Sequence, residues 1–260
     1  AQSGMRCVIT RSTMDIHSNA RGDLPQARFR ESTEEAVTRL GEVISRLHGS
    51  AEGRIRASAS LRNLYAASDQ LIGEVKALAD RHKSFIQSHV AGNHSGQVAS
   101  LARHGCRDVE RLQRLGVLDD RWLLIHMNWV SPRELDLLAA SDAKVAHCPG
   151  AGVKGGWGTF SHGRFPEMLE RGICVCLGTD SAPSGNFMDL TRAMYLASCG
   201  FKDSRMQAAI VPSEVALEMA TINGAKAAMW ADAIGSLEVG KVPNLAVLDG
   251  NPGPARVLMR

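Results

Sequence analysis

The sequence lacks long apolar runs, and it lacks charge of one predominant sign. No apolar run approaches the ~20 residues that a membrane-spanning helix needs. The 30 basic and 27 acidic residues are interspersed, without a basic stripe or an interleaved ladder of aromatic side chains. These absences predict a protein that neither crosses a membrane nor binds nucleic acid.

The six cysteines form no C-x-x-C pair. Cys174 and Cys176 alternate with aliphatic residues in a run typical of a buried strand. Small buried side chains explain such cysteines better than a disulfide framework or a zinc knuckle does, which favours a reducing compartment. The N-terminal residues also lack the apolar segment of a signal peptide. We therefore expect a soluble, cytoplasmic protein.

Two common enzyme motifs are absent or weak. No G-x-S-x-G element is present, which argues against a serine hydrolase. Residues 150–155 match G-x-G-x-x-G after a strand, but no helix clearly opens on them, and no acidic residue ends a strand at ~20 residues beyond. We interpret this stretch as a flexible substrate loop carrying Lys154 and Trp157. A nucleotide-dependent oxidoreductase is the less favoured alternative.

Strand and helix patterns alternate at least six times along the chain, which predicts an α/β fold with a parallel sheet, in a barrel or a doubly wound arrangement. The predicted strands are residues 6–12, 54–61, 84–89, 122–126, 143–149 and 173–180. The predicted helices are residues 32–48, 68–79, 98–116, 131–141, 164–171, 187–200 and 213–231. Residues 235–249 have the pattern of a turn and a strand outside this sheet.

Three of the apolar strands lead to a residue that can bind a metal or move a proton: His89, His126 and Asp180. Taken alone, such a histidine is more often a hydrogen-bonded core residue, and such an aspartate can simply organise a turn. Parallel strands, however, bring their C-terminal ends to one side of the sheet. Two imidazoles and a carboxylate suit Zn²⁺ or Fe²⁺, so their coincidence indicates a metal-assisted hydrolase. His147 also lies near a strand end, where a structural role is favoured.

These motifs occur in the order and approximate spacing of a known family. They are Gln-Ser-His89-Val-Ala, Leu-Ile-His126-Met, Val-Ala-His147-Cys-Pro and Leu-Gly-Thr-Asp180, followed by a tail that includes Gly-Ser-Leu-Glu-Val-Gly-Lys at 235–241. The chain resembles the amidohydrolase superfamily over nearly its whole length. The most similar branch contains cytosine and guanine deaminases, adenosylhomocysteine deaminases and triazine hydrolases.

The resemblance implies a (β/α)₈ barrel with a metal, Zn²⁺ or alternatively Fe²⁺, at its C-terminal end. By the same resemblance, His89 is a metal ligand. His126 holds the hydrolytic water or the substrate. Asp180 binds the metal and accepts the proton of the water.

Two departures from the family pattern stand out. The chain has no His-x-His pair, which the family carries on its opening strand, and its first strand looks like the third strand of the family. We therefore expect residues 1–231 to form barrel strands three to eight without the first two, and residues 232–260 to begin a small β-sandwich. Many members of the branch also have His-x-x-Glu on the fifth strand, where this chain has Gly92. Asn93 or His94 could substitute for that glutamate.

The sequence as a whole predicts a metal-dependent, deaminase-like hydrolase that acts on a C–N bond or another leaving group of a small nitrogen heterocycle. The alternative is an inactive or incomplete homologue that binds a ligand or a partner. The resemblance further suggests a homo-oligomer, in the form of a dimer. The predicted substrate-binding residues are Asn93, His94, Trp157, Ser181 and Asn186.

Overall fold

The computed structural model describes residues 4–17 and 27–245, and in them strands and helices alternate as predicted. The strands are β1 (Cys7–Thr10), β2 (Ile55–Asn63), β3 (Ile86–Val90), β4 (Trp122–His126), β5 (Lys144–His147) and β6 (Val175–Leu177). The longer helices are α1 (Thr33–Leu47), α2 (Asp69–Arg81), α3 (His94–His104), α4 (Asp108–Arg114), α5 (Pro132–Ser141), α10 (Leu190–Arg205) and α11 (Ser213–Ala220). The shorter ones are α6 (Pro149–Lys154), α7 (Thr159–His162), α8 (Phe165–Glu170), α9 (Ala182–Gly185) and α12 (Ile222–Ala227).

The strand pairs are parallel, as the alternation of strands and helices requires. In the first half of the chain β1 pairs with β2, which pairs in turn with β3. In the second half β5 pairs with β6. Parallel pairing places the carboxyl end of each strand beside that of its neighbour, so residues that follow neighbouring strands emerge on one side.

The chain divides into two compact units. The first comprises Ala1–Ile125 and Ser131–Ala143, and the second comprises His126–Val130 and Lys144–Arg260. The short segment after β4 thus belongs to the second unit, although β4 itself lies almost entirely in the first.

Helix α1 illustrates how the sequence determines the first unit. Ala36, Leu40 and Ile44 recur at every fourth position and are fully buried, so one face of the helix packs on the core. The predicted capping box is present at its start. The backbone N–H of Glu35 donates to Ser32 Oγ at 3.1 Å, and the N–H of Ser32 donates to Glu35 Oε2 at 2.8 Å.

The core of the second unit combines aliphatic strand residues with aromatic helix residues. Val145 of β5 and Val175 of β6 are fully buried. Phe165 of α8 and Phe201 of α10 pack beside each other with ring centroids 5.8 Å apart. Burial of such large apolar side chains is the main stabilising contribution in this part of the molecule.

Three local predictions were wrong in detail. The helix predicted at 98–116 is two helices, because α3 ends at Gly105, whose φ of +67° is left-handed. The helix predicted at 213–231 breaks at Thr221, between α11 and α12. The loop predicted at 150–158 begins as helix α6, which has Pro149 at its first position.

The strand predicted within 235–249 lies partly outside the described residues. Its described portion, residues 235–245, consists of bends, turns and irregular chain and contains no strand. Across residues 4–17 and 27–245, no helix has both the length and the apolar character needed to span a membrane.

Candidate active site

His126 and Asp180 lie together in the second unit. His126 is the last residue of β4, and Asp180 follows β6 by three residues. The Nε2 atom of His126 is 4.0 Å from Oδ2 of Asp180. The His126 side chain is 7% exposed and that of Asp180 is 20% exposed, so the histidine is buried and the carboxylate is partly open to solvent.

The backbone at both residues is left-handed. His126 has φ of +80°, Met127 has +53° and Asp180 has +58°. Residues other than glycine adopt a left-handed backbone conformation at a cost of about 1–3 kcal/mol, and residues in this conformation concentrate at functional sites. The surrounding structure therefore holds the backbone of His126 and Asp180 in a conformation that would be unfavourable in an isolated peptide.

The carboxylate of Asp180 is oriented by the chain that follows it. The backbone N–H of Ser181 donates to Asp180 Oδ1 at 2.8 Å, while Oδ2 is the oxygen nearer to His126.

Burial, and to a smaller extent the charge of Asp180, raise the pKa of the Cys148 thiol to about 12. Cys148 is therefore a neutral thiol, and it is neither a nucleophile nor an anionic ligand near neutral pH.

Trp157 also contacts His126. The two ring centroids are 5.0 Å apart with an interplanar angle of 77°, an edge-to-face arrangement. The backbone carbonyl of Trp157 accepts a hydrogen bond from Trp129 Nε1 at 2.7 Å. Sequence patterns place Trp157 in a glycine-rich loop and do not reveal this contact.

His89, the third predicted residue, belongs to the first unit. Its Nδ1 atom makes a short hydrogen bond with the backbone carbonyl of Arg62. A histidine that donates from Nδ1 to a carbonyl has its lone pair on Nε2, which is the arrangement usual for metal-bound imidazoles. An imidazole such as that of His89 and a carboxylate such as that of Asp180 are each donor types that Zn²⁺ and Fe²⁺ accept. Within the described residues, however, no three His, Cys, Asp or Glu side chains converge as a metal site.

Asp108 supports the turn that follows His89. Its Oδ2 atom accepts hydrogen bonds from the backbone N–H of Ala91 at 2.9 Å and from Gln97 Nε2 at 2.8 Å. Ala91 has a left-handed φ of +48°. Burial raises the pKa of Asp108, although these hydrogen bonds act in the opposite direction. The sequence did not reveal this residue, because the predicted helix 98–116 places it in a helix interior.

The five predicted substrate-binding residues have different surroundings. Asn93 caps α3, since its Oδ1 atom accepts from the backbone N–H of Gly96 at 2.8 Å, and His94 is the exposed first residue of that helix. In the second unit, Trp157 packs on His126 as described. Ser181 Oγ lies 2.6 Å from Ser184 Oγ. Asn186 Oδ1 accepts from Lys154 Nζ at 2.7 Å.

His147 has a structural environment. It is fully buried, and its ring lies 3.8 Å from the ring centroid of Phe165 and 5.7 Å from that of Phe201. Among the described residues, neither ring nitrogen has a hydrogen-bond partner. Burial, with a smaller contribution from His126, lowers the pKa of His147 to about 3. The imidazole is therefore neutral at physiological pH and acts as a core residue.

The glycines of the G-x-G-x-x-G match provide space for neighbouring side chains. A Cβ atom on Gly150 would lie 2.4 Å from the ring of Phe187, and one on Gly152 would lie 1.8 Å from Thr159 Oγ1. A Cβ atom on Gly155 would lie 2.5 Å from the indole of Trp157. Close packing within the second unit therefore accounts for all three glycines.

Comparisons with known proteins agree with this architecture. A 5'-deoxyadenosine deaminase from Methanothermobacter thermautotrophicus is 34% identical over 251 residues, which are 95% of this chain and 54% of that protein. A 5-methylthioadenosine/S-adenosylhomocysteine deaminase from Halalkalibacterium halodurans is 31% identical over 250 residues, again 95% of this chain and 54% of that protein. The chain thus spans about half the length of the relatives that it matches.

Solved structures give the same result for the fold. The crystal structure of an adenosine deaminase from Xanthomonas campestris with bound zinc has a TM-score of 0.82 and 26% identity, covering 92% of this chain and 52% of that one. Atrazine chlorohydrolase from Arthrobacter aurescens complexed with zinc has a TM-score of 0.84 and 22% identity, covering 98% and 57%. These likenesses confirm the predicted α/β fold of part of a (β/α)₈ barrel.

The model of one protein family matches almost the entire chain. The amidohydrolase family model matches residues 1–259, which include His89, His126 and Asp180. Because this match extends far beyond half of the chain, and because the strand order and the similar structures agree with it, the chain belongs to the amidohydrolase family.

Proposed function

We propose that the protein containing this chain is a metal-dependent hydrolase that removes an amino group, or another leaving group, from a nitrogen heterocycle. One observation carries the proposal: a buried histidine and a carboxylate face each other at 4.0 Å, and both have left-handed backbone conformations. Such a pair can hold a water molecule and move its proton. Family membership supports the same chemistry.

Each of the three strand-end residues has a proposed role. Asp180 accepts the proton of the attacking water and would also hold the metal. His126 orients the water or the substrate, and His89 would be a further metal ligand. A bound Zn²⁺ or Fe²⁺ would supply acidity, because it lowers the pKa of coordinated water toward neutrality.

The proposed substrate is an adenosine derivative, and the reaction is the loss of its ring amino group. The support is the names of the relatives, which are deaminases of 5'-deoxyadenosine and of 5-methylthioadenosine or S-adenosylhomocysteine. The residues proposed to line the substrate pocket remain the predicted ones: Asn93, His94, Trp157, Ser181 and Asn186.

The domain assignment also remains a proposal. Residues 1–231 would carry the hydrolase barrel, and residues 232–260 would begin a small β-sandwich. We further predict that the protein forms a dimer and is located in the cytoplasm.

The test uses the full-length protein. Metal content is measured by mass spectrometry, and release of ammonia is measured for 5'-deoxyadenosine, methylthioadenosine, cytosine, guanine and an aminated triazine. We expect at least one bound divalent metal and turnover of an adenosine derivative. His89→Ala should reduce metal content, whereas the matched change His82→Ala, at the end of α2, should not.

Two outcomes would contradict the proposal. If Asp180→Asn has full activity, the assigned proton acceptor is wrong. If the wild-type protein binds no metal and hydrolyses none of these compounds, the alternative of an inactive, ligand-binding homologue is favoured.

A further inference from the structure

The segment from Pro149 to Gly163, which we call the 149–163 segment, contacts the chain that follows His126 at several points. Trp129 Nε1 donates to the carbonyl of Trp157 at 2.7 Å. Thr159 Oγ1 donates to Asn128 Oδ1 at 3.2 Å, and both residues are only 2% exposed. The rings of Trp129 and His162 stack with centroids 4.3 Å apart. All of these contacts lie inside the second unit.

The 149–163 segment turns the indole of Trp157 toward His126. Gly156 and Gly158 flank Trp157, with left-handed φ values of +65° and +73°. The indole packs over Gly155, where a Cβ atom would lie 2.5 Å from the ring. The conformation of Trp157 is therefore determined by glycines on either side and by the Trp129 hydrogen bond to its carbonyl.

The orientation of the His126 imidazole depends on contacts with neighbouring side chains. The torsion about the bond to a histidine ring is broad and roughly two-fold, so the ring has no sharply preferred orientation of its own. The edge-to-face contact with Trp157 at 5.0 Å restricts that torsion, and Asp180 Oδ2 lies 4.0 Å from Nε2 of the same ring. Reacting groups must be held within about 0.5 Å and 10–20° of their productive geometry.

We infer that Trp157 is a positioning residue for His126: the 149–163 segment fixes the indole, and the indole fixes the imidazole beside Asp180. The inference rests on the proposed function for its kinetic consequence, but the ring contact itself can be measured without any turnover. For Trp157 this role replaces the substrate contact proposed above, because a positioning residue changes turnover more than it changes substrate affinity.

The kinetic test compares three variants of the full-length protein. Trp157→Leu removes the ring and is expected to lower kcat by about 10- to 100-fold, since a misplacement of about 1 Å can cost 100-fold. KM should change less than about threefold, because uniform substrate binding is not affected. Trp157→Phe retains a ring and should recover most of kcat. Trp129→Phe removes the hydrogen-bond donor to the Trp157 carbonyl, keeps a smaller aromatic ring beside His162, and should show a smaller loss of kcat in the same direction.

A matched tryptophan in the first unit serves as the control. Trp122 is buried and donates from Nε1 to the carbonyl of Val117 at 2.7 Å. Trp122→Phe should lower Tm and leave kcat unchanged. A rise in KM with unchanged kcat in Trp157→Leu would overturn the inference in favour of substrate contact. A fall in Tm alone, or a Phe variant no better than the Leu variant, would overturn it in favour of a purely structural role.

A spectroscopic measurement separates this inference from the proposed function. The ring-proton NMR signals of His126 are identified by their loss in His126→Asn. In the absence of substrate, Trp157→Leu should move these signals, because the ring current of the indole is removed. Unchanged His126 signals would overturn the inference even if the enzyme is active, whereas a shift in an inactive protein would support the contact and contradict only the proposed function.

Discussion

Two buried histidines of the second unit, His126 and His147, follow similar apolar runs but have opposite surroundings. His126 faces the carboxylate of Asp180 and has a left-handed backbone. His147 is enclosed by phenylalanine rings, and neither of its nitrogens has a partner among the described residues. The type of residue at a strand end is thus insufficient to indicate chemistry. What distinguishes a reactive site is the polar group opposite the imidazole and the backbone conformation that holds it there.

The largest expected difference between the two histidines is in catalysis. His126→Asn in the full-length protein should lower kcat/KM by about 10²–10⁴-fold, the usual contribution of a positioned acid–base group. His147→Leu should leave kcat/KM within about threefold of wild type, because the His147 ring packs against the core rings of Phe165 and Phe201. Steady-state kinetics on an adenosine derivative checks both values. Equal losses in the two variants would remove the distinction.

The next difference is in the pH dependence of stability. The pKa of His147 is about 3 in the folded protein and near 6.5 when unfolded, so the unfolded chain binds the extra proton below pH 6.5. The folded state is therefore penalised as the pH falls below 6.5, by about 1.4 kcal/mol per pH unit. Relative to wild type, His147→Leu should gain about 1.4 kcal/mol of unfolding free energy between pH 7.5 and pH 5.5.

Urea unfolding at the two pH values measures this gain. At pH 7.5 the variant should already be more stable, by about 1–3 kcal/mol, because two buried nitrogens without partners are removed. A stability difference that does not change with pH would mean that His147 binds its proton equally well in the folded and unfolded protein, so that burial does not lower its pKa.

An effect on stability that does not depend on pH is expected at Gly152 of α6. Gly152→Ala should destabilise the protein by about 1–3 kcal/mol, because the new methyl group would overlap Thr159 Oγ1. Gly73→Ala is the matched control in α2, where a Cβ atom meets nothing within 4 Å. Removing a glycine from a helix interior should stabilise by about 0.5–1 kcal/mol. Thermal unfolding of both variants should give shifts of opposite sign, and a stabilised Gly152→Ala would contradict the packing.

The smallest effect concerns the surface contact between α6 and α9. Lys154 Nζ donates to the carbonyl of Pro183 and to Asn186 Oδ1. Lys154→Met should cost no more than about 1 kcal/mol, as is usual for exposed polar contacts. It should also change kcat/KM less than threefold. A loss of activity as large as that of His126→Asn would place Lys154 in the reaction itself.

The parts that sequence predicted well depend on local patterns. The capping box at Ser32 and the strands that lead to His89, His126 and Asp180 follow from residue spacing over fewer than ten positions. The left-handed backbone of His126 could not be predicted, because a non-glycine residue adopts it only when distant contacts hold it there.

The missed contacts are all non-local in sequence. Trp157 contacts His126, which lies 31 positions earlier in the sequence. Asp108 accepts a hydrogen bond from the backbone of Ala91, which lies 17 positions earlier. The glycines at 150, 152 and 155 suggested a nucleotide motif or a flexible loop. Their real constraint is the side chains of Phe187, Thr159 and Trp157, which no local pattern reveals.

The central claim is that His126 and Asp180 form one functional site. A double-mutant cycle on kcat/KM in the full-length protein tests it most directly, using His126→Asn, Asp180→Asn and the combination. When two residues act as a unit, replacing either one removes most of the rate enhancement that depends on both. The double variant should therefore have a kcat/KM little lower than that of the poorer single variant. If the two losses instead multiply fully, His126 and Asp180 act independently, and the account of a single site is wrong.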